Sequence, residues 1–261
     1  MIRVGIGGWV FKPWRGEFYP PNLPQARELE YSSRKLTTIE INATFYRTQT
    51  RASFRKWASE TPDNFVFSLK APRSATQRRV LAEAGPSIDW FLASGITELG
   101  PKLGPILWQF HPGKKFEPED VAAFLEHLPA RADGHALRHV IEAKHASFRD
   151  EGFVDLARKH AVAIALIDAD KHSAIADVTG EFVYARLQRT VENVRTGYPP
   201  SLLDLWAKRA RTWENGGAPD DPAALSAKPP KPMRRDVFIY MISGAKVRNP
   251  AAAMALIEQL Q

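Results

Sequence analysis

Three carboxylates, three cations and three amides interrupt stretches of this chain that otherwise read as buried β-strands. In TTIEINATFY (37–46), Ile39, Ile41 and Ala43 suit a buried strand, and Glu40 and Asn42 fall between them. FVFSLKA (65–71) carries Lys70, GPILWQF (104–110) carries Gln109, and HVIEAKH (139–145) carries Glu142 and Lys144. VAIALIDA (162–169) ends near Asp168, and FVYARLQ (182–188) carries Arg186 and Gln188. Polar and charged groups are costly to bury unless they are paired, so they face either water or a site. Carboxylates whose surroundings push their pKa values apart can divide general acid and base work between them. Lys70, Lys144 and Arg186 can hold a substrate's negative charge or stabilise charge that develops during reaction, and Asn42 and Gln109 can orient it.

Something must bring these residues together. With IRVGIGG (2–8) and DVFIYMIS (236–243), the chain holds eight short apolar segments bounded by Gly, Pro or polar residues, as strands are. Helical patterns alternate with them: LPQARELEYSSRKL, SFRKWASE, GPSIDWFLASGITEL, EPEDVAAFLEHLP, DEGFVDLARKHA, PSLLDLWAKRARTWENGG and NPAAAMALIEQL. The link DKHSAIADVTGE after the sixth strand has room only for a short helix. Strand–helix alternation eight times over in 261 residues predicts a parallel α/β fold, a TIM (β/α)8 barrel forming a single domain over 1–261. The runner-up is an open doubly wound sheet. The Pro/Gly-rich stretch at about 216–235 reads as a long loop before the last strand.

Side chains alternate between the two faces of a strand, and in a barrel the outward face packs on helices. That parity sends Glu40, Asn42 and Thr44 inward, with Lys70, Gln109, Glu142, Lys144, Asp168, Tyr184, Arg186 and Gln188, mostly towards C-terminal strand ends. This is where barrel enzymes work. The same array also reads as a structural salt-bridge network plugging the barrel.

The first loop, GWVFKPWRGEFYPPNLP, is aromatic-rich, which suits a lid packed over the rim. Trp9 and Trp14 are candidates for stacking a sugar or base, and Tyr46 reaches towards the same mouth. Arg73, Arg78 and Arg79 follow the third strand and can hold an anion or simply face water. KPPKPMRR before the last strand reads as solvated, and His145 as structural.

The formal net charge of +7 favours anionic partners, a small anionic or sugar-like ligand or nucleic acid. The chain has no cysteine, which excludes disulfides and thiolate chemistry. No signal-peptide pattern or membrane-length apolar run is present, and a cytoplasmic protein is expected. There is no Gly-rich dinucleotide fingerprint, P-loop, nucleophile elbow or H-E-x-x-H. The cofactor is therefore unknown. Glu142 and Asp168 could hold Mg²⁺ or Mn²⁺, but no ligand spacing supports a metal.

GGWVFKPWRGEFYP, TIEINATFYR, FVFSLKAPR, LGPILWQF, IEAKHASF and VFIYMISGAKVRNPAAAMAL together resemble the YecE-like family, also called domain of unknown function 72. The resemblance runs over nearly the whole chain and implies a TIM barrel with no established reaction. Three positions depart from the family pattern: Lys144 stands where Arg is usual, Gln188 takes a His position, and MISGAK replaces an Asn-rich strand end. The first functional expectation is an enzyme, a hydrolase, lyase or isomerase, acting on an anionic or polyhydroxylated substrate by Glu40 and Glu142 acid/base chemistry. The alternatives are a nucleic-acid-binding or processing barrel and a non-catalytic ligand-binding barrel.

Overall fold

The computed structural model describes residues 1–170 and 174–261. Parallel strands form one sheet: β1 (Ile2–Gly7), β2 (Thr38–Ile41), β3 (Val66–Lys70), β4 (Leu103–Gln109), β5 (His139–Glu142), β6 in two pieces (Ala163–Ile164 and Leu166–Asp168), β7 (Phe182–Leu187) and β8 (Asp236–Met241). β1 pairs with both β2 and β8, and the order continues outward through β3, β4 and β5 on one side and β7 on the other. The first piece of β6 pairs with β5 and the second with β7. The two edges of the sheet are thus consecutive segments of one strand, and the sheet curls into a nearly closed barrel.

Helices Glu28–Lys35, Arg51–Ser59, Gly85–Leu92, Pro118–Glu126, Glu151–Lys159, Pro200–Glu214 and Asn249–Leu260 follow the expected patterns closely. Local chemistry sets their starts. Thr50 accepts from the Ser53 amide and Asp150 from the Gly152 amide, satisfying donors that the first turn leaves free. In the link after β6, residues 174–179 form no helix, and 171–173 lie outside the described residues.

Outward strand residues such as Ile39, Ile41, Phe67, Trp108 and Ile141 join the helices in one buried layer. Inward residues make a second, smaller core from Val66, Leu107, Val140, Ala163, Phe182 and Phe238, below Tyr184 and Tyr240. Side-chain layers filling the interior are what a barrel of this size requires.

Two sequence expectations need correction. β2 stops at Ile41: Asn42 has helical backbone angles and opens the turn Ala43–Tyr46, so Asn42 and Thr44 do not continue the strand. Thr44 donates to the Lys70 carbonyl at 2.7 Å, tying that turn to the end of β3. Arg235, within KPPKPMRR, is buried and donates to the carbonyls of Gly216, Met233 and Gly180, which anchors the long loop before β8.

Candidate functional site

Three polar tiers rise through the barrel. In the lowest, Thr38 meets the Tyr240 hydroxyl at 2.8 Å, and Ser68 meets Tyr184 at 2.8 Å. Above them, Glu40 and Glu142 are fully buried and Arg186 is 3% exposed. Arg186 reaches from β7 across the interior. Its Nε and Nη2 each donate to Glu40 at 3.0 Å, and Nη1 donates to Glu142. Tyr184 adds a 2.7 Å bond to Glu40, and Gln109 donates to Glu142 at 2.6 Å. Bidentate pairing of this kind matches the planar fork of arginine, and the extra bonds satisfy the remaining lone pairs that burial would otherwise leave costly.

The clamp decides the protonation of its members. Burial alone would raise the Glu142 carboxyl, but Arg186, Lys144 and the hydrogen bonds from Gln109 and Arg186 outweigh it and hold Glu142 below its ordinary value. Burial opposes the Arg186 charge, yet Glu142 and Glu40 raise its pKa above the usual guanidinium range. Burial, with the Glu40 charge beside it, raises the Tyr184 phenol well above its ordinary value. Glu142 stays ionised and committed to Arg186, which is a poor disposition for a general acid.

The top tier is the mouth. A cavity of about 550 Å³ opens at the C-terminal ends of the strands, lined by Trp9, Asn42, Tyr46, Lys70, Lys144 and Lys246 among others. Gln109, Arg186, Gln188 and Asn249 also reach it, and no Asp or Glu among the described residues lines it. The glycines at the end of β1 and just past it make room. A Cβ on Gly7 would stand 2.6 Å from Ile242 Cδ1 and 3.0 Å from Asn42 Nδ2, and Gly8 adopts φ +71° while lining the cavity.

Lys70, only 9% exposed, ends β3 at the cavity wall. Among the described residues its amine makes no ion pair and no hydrogen bond, because both nearby carboxylates are turned to Arg186. It lies 3.9 Å from the centre of the Phe45 ring. Burial first, then the Arg186 charge, lowers its pKa to about 8, against the opposing pull of Glu40 and Glu142; Lys144 adds to the lowering. Lys144 sits 3.4 Å from Glu142 and still faces the cavity. Lys246 lies over the Phe11 ring at 4.4 Å, and burial lowers its pKa.

Most predicted residues meet here: Glu40, Glu142, Lys70, Gln109, Lys144, Arg186, Gln188, Asn42, Tyr46 and Trp9 lie in or just beneath the mouth. Three do not. Asp168 turns away, accepting from Tyr198 at 3.2 Å and Arg189 at 3.4 Å. The cause is parity: the inward residues of the sixth strand are Ala163 and Ala165, which sets Asp168 on the outward phase. Asp168 therefore forms no metal pair with Glu142. Trp14 is fully buried against Phe11, Phe18 and Tyr19, with its indole donating to the Lys246 carbonyl at 2.8 Å; it supports the rim and stacks no ligand. Arg73 is exposed and does not line the mouth. Arg78, Arg79, His111 and Lys115 line a separate cleft of about 630 Å³.

Sequence reasoning missed Phe45, Lys246 and Asn249. MISGAK, a departure from the family pattern at a C-terminal strand end, was the available signal for Lys246. His145 accepts from the Ser147 amide at 3.2 Å, as a structural residue would.

A family model described as "Protein of unknown function DUF72" matches residues 3–261. UPF0759 protein YunF of Bacillus subtilis (strain 168) is 29% identical over 127 residues, a match spanning 47% of this chain and 44% of that protein. A DUF72 family protein from Thermotoga maritima MSB8 (TM1631) superposes with TM-score 0.73 at 20% identity, covering 98% of this chain and 97% of that one. Another from Enterococcus faecalis V583 (EF0366) gives TM-score 0.71 at 16% identity over 100% and 95% of the two chains. At these identities the structural likeness bears on the fold alone.

Proposed function

This chain belongs to the DUF72 family, whose description carries no reaction, and we propose from the geometry that its barrel mouth is an enzyme site for a small anionic, hydroxylated substrate. The observation that carries this reading is the lining of the mouth: Lys70, Lys144, Lys246 and Arg186 face a cavity of about 550 Å³ with no carboxylate among its described lining residues. A cationic, partly water-excluded pocket favours anions. Lys144 and Lys246 receive the negative group, Asn42, Gln109, Gln188 and Asn249 bond hydroxyls, and Trp9 and Tyr46 wall the entrance. Lys70 is the reactive group, because its amine is unpaired among the described residues, lines the cavity and titrates near working pH. Glu40 and Glu142 fix Arg186 and set the field around Lys70.

Calorimetric titration with sugar acids, keto acids and phosphosugars tests the reading. At least one anionic compound is expected to bind, and Lys144→Met to weaken it roughly tenfold, the value of one charge-assisted contact. Binding unchanged in both Lys144→Met and Lys246→Met, or no anion bound at all, would sink it.

A second reading, nucleic-acid binding, draws on the cleft lined by Arg78, Arg79, His111 and Lys115. It requires salt-dependent retardation of DNA or RNA that Arg78→Ala with Arg79→Ala abolishes.

A further inference from the structure

We propose that Lys70 is a covalent nucleophile, whose amine adds to the carbonyl of a small keto acid seated in the mouth and forms a Schiff base. This rests on the reading that the mouth takes an anionic ligand, and it adds the class of compound and the bond made.

A nucleophilic lysine needs an amine that is reachable, that is not tied up in an ion pair, and that loses its proton near neutral pH. Lys70 meets the first two by position: it lines the cavity, and it makes no ion pair or hydrogen bond among the described residues. The clamp is what frees it. Arg186 engages both buried glutamates, the carboxylates a charged lysine at this depth would otherwise pair with. The groups facing the amine are Arg186 from β7, Glu40 from β2, Glu142 from β5, Lys144 after β5, and the Phe45 ring. The ring and the two carboxylates favour the ammonium, while burial, Arg186 and Lys144 oppose it. With a pKa of about 8, about a tenth of the amine is neutral at pH 7 and about half at pH 8.

The other two mouth lysines differ. Lys144 is held 3.4 Å from Glu142 and stays suited to gripping an anion. Lys246 sits on the aromatic rim between Phe11 and Trp14. A keto acid fits this division, with its carboxylate towards Lys144 and its carbonyl carbon towards Lys70.

The step balances without an oxidant. The neutral Lys70 amine attacks the carbonyl carbon, a nitrogen–carbon bond forms, and a proton moves from nitrogen to oxygen to give the carbinolamine. The hydroxyl then leaves as water, taking one proton from the Lys144 ammonium, and the nitrogen lone pair closes the C=N bond. The product is a protonated imine, and Lys144 recovers its proton from solvent.

The 261-residue chain is incubated with pyruvate, and in parallel with dihydroxyacetone phosphate, then reduced with sodium borohydride and mapped by peptide mass. A carbonyl compound trapped this way adds its own mass less one oxygen. The expected result is labelling at Lys70 by pyruvate, lost in Lys70→Met, with the rate rising about tenfold from pH 6 to pH 7 and levelling above pH 8. Stronger labelling by dihydroxyacetone phosphate would reassign the anion from carboxylate to phosphate and keep the imine. Label on Lys246, on Lys144 or spread over exposed lysines overturns the proposal. So does an absence of label while the same compounds raise the melting temperature, which would leave the anion-binding reading standing. Absence of both label and melting shift removes both.

Discussion

Replacing Lys70 by methionine should stabilise the protein at pH 7, and the size of the effect follows from the site. In the folded chain the amine titrates near 8, below its ordinary 10.5, because burial and Arg186 disfavour its charge. Below pH 8 the lysine is protonated in both folded and unfolded states, so the full cost of holding that charge in the barrel is present. Each pKa unit corresponds to about 1.4 kcal/mol, so the cost is about 3 kcal/mol. Methionine keeps the apolar stem and removes the charge, but forfeits the contact with Phe45, worth about 0.5–1 kcal/mol. The variant should be more stable by about 2 kcal/mol at pH 7. Between pH 8 and 10.5 the unfolded chain binds a proton that the folded chain does not, so wild-type stability rises with pH through that window. The advantage of methionine should therefore shrink by about 2–3 kcal/mol from pH 7 to pH 10. Urea denaturation of both proteins at pH 7, 8, 9 and 10 measures the difference, in which other titrating groups cancel. A methionine variant less stable than wild type at pH 7, or a difference independent of pH, would mean that Lys70 is a paired, ordinary ammonium.

Three further substitutions probe the surroundings of Lys70. Glu40→Gln leaves Arg186 with one full carboxylate partner; loss of a buried partner costs about 3–5 kcal/mol, or about 5–9 °C of melting temperature at this length. The same change removes a charge that holds the Lys70 pKa up, so pH-dependent borohydride labelling should shift to lower pH; a shift upward would contradict the field described here. Trp14→Ala should cost about 3–5 kcal/mol by opening a cavity under the rim, whereas Asp168→Asn should alter anion affinity by less than about twofold. A calorimetric titration in which Asp168→Asn abolished binding would return that residue to the site.

Much of the architecture is legible in one dimension, because strand and helix periods are local. The eight apolar segments and the helices between them follow from period-two and 3.6-residue patterning, and parity along β2, β3, β5 and β7 correctly sends Glu40, Lys70, Glu142 and Arg186 inward. Parity fails where the local period breaks. Asn42 breaks it by entering a helical turn; in the sixth strand the alternation holds, with Ala163 and Ala165 inward and Asp168 on the outward phase, but a segment apolar on both faces hides which phase is inward.

What no local pattern contains is the pairing across the barrel. Glu40 and Glu142 are 102 residues apart in sequence, and only closure of the sheet puts both within reach of Arg186. That three-way contact decides the electrostatics: it fixes the carboxylates below the mouth, leaves the cavity lined by cations, and leaves Lys70 unpaired among the described residues. Residue types, and the facing of Glu40, Lys70, Glu142 and Arg186, were written in the sequence. Which charges neutralise one another depends on distances of a few ångströms in a water-poor interior, and those exist only once the chain has folded.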